Sequence, residues 1–360
     1  MPRTPIVCAL APALLVALGG CFGEFVPPAA ADATSTVADS SDADSGSSTT
    51  GSATTTGIAG SSESTDGGPA PLRLPSSPSC HLDILFVIDF SASMGAYEAV
   101  LFEAVFGLVG RFPTLLGELG SYHVGITTNS SVPWNDSAFF PAGEEPLDCT
   151  GVGSLSRPPD EACYDLLEGN PYIGKNTDLG AALSCTAMAV DPGGRALEPA
   201  DPVAAIRSAI SSDMNEDGHC NAGFHDPADP LVVVLVTDAD DDTSPLEPVA
   251  AAADILDSVG LNPAKLAMSV ISGSTCSCGD DGKPGCGAEC PPNPKHGPPQ
   301  APCRILGLTE LLFAADGLED HVRFTDICET PTDRFDPFGA ALIEAVADQA
   351  DRVCAAAAAP

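Results

Sequence analysis

His81-Leu82-Asp83-Ile84-Leu85-Phe86-Val87-Ile88-Asp89-Phe90-Ser91-Ala92-Ser93-Met94-Gly95 is the stretch on which the reading of this chain turns. From Leu82 to Ile88 it is short, almost wholly apolar and rich in β-branched and aromatic residues, which suits a strand buried on both faces of a parallel sheet. It then turns polar at once. Asp89, Ser91 and Ser93 offer one carboxylate and two hydroxyls at the carboxyl end of that strand, where open α/β sheets keep their ligand sites. Such oxygen donors suit a hard cation such as Mg²⁺. Asp and Ser are also the ordinary capping residues of a strand-to-helix turn, so the motif acquires meaning only from the rest of the chain.

Downstream, helical and extended patterns alternate. Tyr97, Leu101, Ala104, Val105 and Leu108 share one helical face, and Tyr122 to Thr128 reads as the second strand. Residues 129–173 are rich in Pro, Gly and aromatics without a lasting period and read as an insertion with room for a short edge strand. Helices are expected over 178–190, 201–212, 248–259, 304–315 and 337–353, and strands over 231–237, 265–272 and 321–324, with a Cys/Pro-rich excursion over 274–302. Strands alternating with helices imply an α/β fold, a doubly wound and mostly parallel central sheet covered on both faces, here with disulfide-rich insertions.

The opening stretch resembles that of a von Willebrand factor A (vWA) domain, whose metal-ion-dependent adhesion site begins with a buried strand ending in D-x-S-x-S. Asn176-Thr177-Asp178-Leu179-Gly180-Ala181-Ala182-Leu183 is similar to that family's second motif, and Leu231 to Thr237 followed by Asp238 is similar to its third. The resemblance implies a metal set of Asp89, Ser91, Ser93, Thr177 and Asp238. It implies Mg²⁺, or Mn²⁺ or Ca²⁺, with an open coordination position for a carboxylate on a protein partner. The chain departs from the family pattern at two places. Lys175 stands where a Gly is common before the Thr, and Ala239 followed by Asp240, Asp241 and Asp242 stands where a Gly is usual after the Asp. Thr177 also fits the N-cap of the next helix, and the run of acids fits a solvated loop.

Residues 1–20 read as an export signal, with Arg3 before an apolar core over 6–18 that is too short to span a membrane. The run Leu18-Gly19-Gly20-Cys21 resembles a bacterial lipobox, which implies a lipidated Cys21 and membrane attachment through that anchor alone. Phe22 in place of Asp favours the outer membrane or surface of a diderm bacterium. Residues 21–79, made of Ser, Thr, Gly, Ala, Pro and Asp, cannot bury enough surface to offset chain entropy and read as a tether. The globular domain is then 80–354, with a short tail over 355–360. Its acidity, within a formal charge of −36 for the chain, argues against nucleic acid as a partner.

Of the 14 cysteines, all but Cys8 and Cys21 fall in this domain, an even set that favours disulfides in an exported protein. Cys80 before the first strand and Cys354 at the end of the last helix both fall at the sheet edge opposite the ligand site, so they are expected to pair. Cys149 with Cys163 and Cys185 with Cys220 are further expected pairs. The other six, Cys276, Cys278, Cys286, Cys290, Cys303 and Cys328, suit disulfides or a zinc knot.

Asp213-Met214-Asn215-Glu216-Asp217-Gly218 fits the opening of a calcium loop through Asp213, Asn215 and Asp217, but Phe224 occupies the position of the closing Glu. An Asx-rich turn fits the same residues. His219 and His225, either side of Cys220, fit packing or capping roles. The chain has no G-x-S-x-G, H-E-x-x-H or phosphate-binding glycine loop, so it reads as a non-enzymatic binding or adhesion module. The alternatives are a structural envelope protein with a vestigial metal site that binds through its Cys-rich insertions, and a secreted hydrolase.

Overall fold

The computed structural model describes residues 80–90, 94, 116, 119–132, 135–136, 138–140, 148–190, 201–237, 247–272, 303–314, 317–326 and 335–357, with the backbone alone at 184, 187–190 and 335–345. The export segment, Cys21, the tether, the helix expected after Met94, Ser91, Ser93, the acidic run from Asp238 and the excursion over 274–302 lie outside the described residues.

Among the described residues, six strands form one sheet in the order β3-β2-β1-β4-β5-β6. They are β1 His81–Ile88, β2 Ser121–Thr128, β3 Ile173–Gly174, β4 Leu231–Thr237, β5 Leu266–Ser272 and β6 Val322–Asp326. All pairings are parallel except β2 with the two-residue β3. The helices are α1 Glu161–Leu166, α2 Leu179–Val190, α3 Pro202–Ile210, α4 Ser212–Asn215, α5 Pro248–Ser258, α6 Cys303–Leu312 and α7 Phe335–Ala357. The expected α/β fold is therefore present. Strand order reverses between β1 and β4, which makes the carboxyl ends of those two strands the topological switch point of the sheet.

Side-chain alternation along β1 separates two cores. Leu82, Ile84, Phe86 and Ile88 pack with Leu179, Leu183, Val346, Ala350 and Val353 from α2 and α7. Leu85 and Val87 pack on the other face with Ile206, Ile210, Ile255, Ile305 and Leu308 from α3, α5 and α6, and with Leu155 and Phe224. A strand whose residues all face a core has no solvated side, which is why β1 and β4 read as nearly continuous apolar runs.

The insertion after β2 is pinned to this second face. Asn135 Nδ2 donates to the carbonyls of Cys149 (2.7 Å) and Leu155 (3.0 Å), and Asn221 Nδ2 donates to those of Gly153 (2.9 Å) and Ala209 (3.1 Å). Asn221 Oδ1 in turn accepts from the Leu155 amide at 2.9 Å. Gly125 makes room for it. A Cβ on Gly125 would stand 2.8 Å from both Leu155 Cδ2 and Phe224 Cε2.

Cys80 is bonded to Cys354, which ties the start of β1 to the end of α7. The other two expected pairings are corrected, because Cys149 is bonded to Cys220 and Cys163 to Cys185. The reason is tertiary. Asn221 brings the segment after Cys220 against the insertion loop that carries Cys149, whereas α1 packs on α2 and sets Cys163 against Cys185. Cys303 is also disulfide-bonded, to a residue outside those described.

Candidate functional site

β1 carries a buried carboxylate near each end, Asp83 and Asp89, and each is the centre of a polar cluster. At the carboxyl end, Ile88 is in register with Thr128 of β2 and Val236 of β4, so the next row across the sheet is Asn129, Asp89 and Thr237. Alternation puts all three on the face of Leu85 and Val87. All three are fully buried. Thr237 Oγ1 donates to Asp89 Oδ2 at 2.7 Å, across the switch point, and the Asp89 amide donates to the Val236 carbonyl at 2.9 Å.

Neither Oδ1 nor Nδ2 of Asn129 has a hydrogen-bond partner among the described residues. Such a pair of buried polar atoms costs about 1–3 kcal/mol each when nothing satisfies it, so native proteins keep few of them. The Asn129 carbonyl accepts from the Asp201 amide at 2.6 Å, which brings the start of α3 to the same edge. A carboxylate, a hydroxyl and an amide oxygen in one row form a donor set for a hard divalent cation.

Ser91, Ser93 and Asp238 follow directly on the described ends of β1 and β4, but lie outside the described residues. Thr177 does not join this row. β3 runs antiparallel to β2 with Gly174 opposite His123, the Thr177 amide donates to the Gly174 carbonyl at 3.1 Å, and Lys175 Nζ donates to the Gly120 carbonyl at 2.8 Å. His123 is level with Asp83 in the register. Asp83 to Asp89 spans about 20 Å along the strand at about 3.3 Å per residue, so Thr177 sits at the amino-terminal edge, away from Asp89. The expected five-residue set is corrected to that extent: direct continuity from β3 holds the threonine at the wrong end. Nor is Thr177 the cap of α2. Asp178 Oδ1 accepts from the amides of Gly180 (3.0 Å) and Ala181 (3.2 Å).

Asp213 and Asp217 are exposed, while Asn215 braces the turn between α3 and β4. Its Nδ2 donates to the carbonyls of Ala209 (2.8 Å) and Ser211 (2.9 Å), and its Oδ1 accepts from the His225 amide at 2.9 Å. This is the hydrogen bonding of an Asx-rich turn.

At the other end of β1, three imidazoles converge on Asp83. His81 Nε2 lies 2.9 Å and His123 Nδ1 3.2 Å from Asp83 Oδ1, and His225 Nδ1 lies 2.7 Å from Asp83 Oδ2. Outside this shell, His81 Nδ1 meets Ser121 Oγ at 2.6 Å, His123 Nδ1 meets the Phe224 carbonyl at 2.9 Å and His225 Nε2 meets the Ser258 carbonyl at 3.0 Å. Burial acts to raise the Asp83 carboxyl, but hydrogen bonds from His123, His225 and His81 outweigh it and hold the group well below the usual carboxylate range. The same hydrogen bond to Asp83 raises His81 against the effect of its own burial. Burial pushes up the Asp229 carboxyl beside His81 and, with the Asp83 charge, the Tyr172 hydroxyl.

His81, Asp83 and His123 form a group that could hold a metal ion, with one ligand atom from each lying within 4.8 Å of the others. Sequence reasoning passed over it. The signal was Asp83 itself, a charge inside a run otherwise suited to burial on both faces.

No family model and no curated protein matches the chain. Solved structures similar to it include proximal thread matrix protein 1 from the mussel byssus, at 13% identity over 76% of this chain and 49% of that one, with a TM-score of 0.38. A von Willebrand factor type A from Catenulispora acidiphila matches at 13% identity over 74% of this chain and 42% of that one, with a TM-score of 0.33. The pilus adhesin SpaC from Lactobacillus rhamnosus GG, in an open conformation, matches at 11% identity over 78% of this chain and 31% of that one, with a TM-score of 0.37. The chain spans half or less of the length of each of these three.

Proposed function

We propose that this protein is a divalent-cation-dependent binding module of vWA type, with its ligand site at the carboxyl ends of β1 and β4. The observation that carries the proposal is the buried row of Asn129, Asp89 and Thr237 at the switch point, in which the Asn129 amide has no partner among the described residues. Asp89 and Asn129 would hold the ion from the strands. Ser91, Ser93 and Asp238 would add hydroxyl and carboxylate oxygens from the segments that follow, and Thr177 would take no part. Bound there, a Mg²⁺ ion supplies positive charge that allows an acidic group on a protein partner to approach an acidic surface. Thr237 orients Asp89 by holding one of its two carboxylate oxygens. The role is binding rather than catalysis, exercised from a lipid anchor at Cys21 in the outer envelope.

Calorimetric titration of Mg²⁺ into the protein tests the site. Heat is expected from the wild-type chain and from Thr177→Ala, and none from Asp89→Ala; loss of heat in Thr177→Ala would overturn the arrangement. Capture of extracted envelope proteins should be abolished by chelator and restored by Mg²⁺. The position of Thr177 favours a second reading, a structural envelope protein whose metal site is vestigial, and that reading requires wild-type protein to give no heat at all. Substitution Cys21→Ser should release the protein from membranes, and persistence in the membrane fraction would remove the anchor from the proposal.

A further inference from the structure

The cluster at the amino-terminal end of β1 has a different chemistry from the row around Asp89. Two imidazole nitrogens and one carboxylate oxygen are a borderline-soft donor set, which suits Zn²⁺ and its first-row neighbours and not Mg²⁺. We propose that His81, Asp83 and His123 form a transition-metal site of Zn²⁺ type, separate from the cation site at the other end of the same strand.

Geometry supports the assignment. Two ligands of one tetrahedral ion, each at about 2.0–2.1 Å, stand about 3.3 Å from each other. The contacts of Asp83 Oδ1 with His81 Nε2 (2.9 Å) and His123 Nδ1 (3.2 Å) are already close to that spacing. Two parallel strands produce it, because Asp83 and His123 are direct partners in the β1–β2 register and His81 is two residues earlier on the same face.

The outer shell is also built. Ligating histidines are normally oriented by a hydrogen bond at the second nitrogen. Ser121 Oγ provides this for His81, and because a hydroxyl both donates and accepts, it serves Nδ1 whichever ring nitrogen carries the proton. Asp83 is held from behind through Oδ2 by the fully buried His225, whose far nitrogen rests on the Ser258 carbonyl. When the ion takes Nδ1 of His123, the proton moves to Nε2 and the Phe224 carbonyl loses that hydrogen bond.

Access exists where it is needed. The side chains of His81 and His123 are 22% and 25% exposed although Asp83 is fully buried, so the site opens outward from its carboxylate. Asp229, with Oδ2 at 3.9 Å from His81 Nε2 and a side chain one-third exposed, is placed to supply a fourth ligand directly or through water.

Co²⁺ is the probe, since its visible d–d bands report coordination without any activity assay. The full chain should bind one Co²⁺ with tetrahedral bands. Zn²⁺ should displace it, and a large excess of Mg²⁺ should not. His81→Gln and His123→Gln should each weaken binding at least tenfold, and Ser121→Ala, outside the ligand set, by about 10–100-fold. Asp89→Ala should keep the bands, which separates this site from the one proposed for Mg²⁺, and His219→Gln should keep them too. The proposal is overturned by a wild-type chain without tetrahedral bands, a result that needs no variant to fold. Bands that survive both His81→Gln and His123→Gln, or that disappear with Asp89→Ala or His219→Gln, would overturn it equally.

Discussion

Asn221 and Asn129 are the same side chain put to opposite uses. Asn221 is fully buried and its amide makes three hydrogen bonds to backbone, to Gly153, Leu155 and Ala209. Truncation would strand those backbone groups in a dry interior, so Asn221→Ala should lower stability by about 2–4 kcal/mol, read as a shift of the urea midpoint. Asn129 is as deeply buried, with neither amide atom partnered among the described residues. Asn129→Val should therefore leave the metal-free protein as stable as before, or up to about 1 kcal/mol more stable, while weakening the Mg²⁺ heat. A drop comparable to that of Asn221→Ala would show that Asn129 is an ordinary structural amide. Asp83, like Asn221, is fully buried with its polar atoms partnered. Its three imidazole partners were invisible in sequence because they come from positions 81, 123 and 225, which only strand pairing and the turn before β4 bring together.

At the scale of elements, β2 is the strand whose surroundings periodicity could not supply. Its extent was legible from Tyr122 onward, but the passage of the insertion over its face was not, since residues 129–173 have no period to read. Gly125 records that passage. Gly125→Ala would drive a methyl into Leu155 and Phe224, and we expect a loss of about 1–3 kcal/mol, measured by thermal or denaturant unfolding. Two helices followed their patterns closely, whereas α1 over Glu161–Leu166 lies in a stretch read as an insertion without helix and α7 runs to Ala357, past the expected end at 353. α5 over Pro248–Ser258 and α3 over Pro202–Ile210 lie within a residue or two of expectation, each opening with Pro in its first turn. Which residue caps α2 was not legible, since Thr177 and Asp178 are both good caps and only their positions relative to β3 decide between them.

For the molecule as a whole, the disulfides close loops of very different length. Cys80–Cys354 spans a sequence separation of 274 and Cys163–Cys185 one of 22. By loop-closure entropy the first is worth about 5.6 kcal/mol and the second about 3.4 kcal/mol. Replacing Cys80 and Cys354 by alanine should therefore lower the melting temperature more than replacing Cys163 and Cys185. The reverse order would mean that the reduced, unfolded chain is far from random. The Cys80–Cys354 bond also lies at the sheet edge opposite Asp89, so its removal should leave the proposed Mg²⁺ binding of the folded protein intact.

The amino-acid sequence by itself determined the α/β alternation, the identity of β1 and β4 as central strands, and the placing of Asp89 at a carboxyl end, because burial on two faces and local capping are written in neighbouring residues. Tertiary structure alone decided the rest. It set Thr177 at the far edge, crossed the expected pairings of Cys149, Cys163, Cys185 and Cys220, aligned Asn129 and Thr237 with Asp89, and gathered three histidines on Asp83. Each of these depends on strand register and on which loop packs over which face. Those choices are made by contacts between residues tens to more than a hundred positions apart, and no local pattern encodes them.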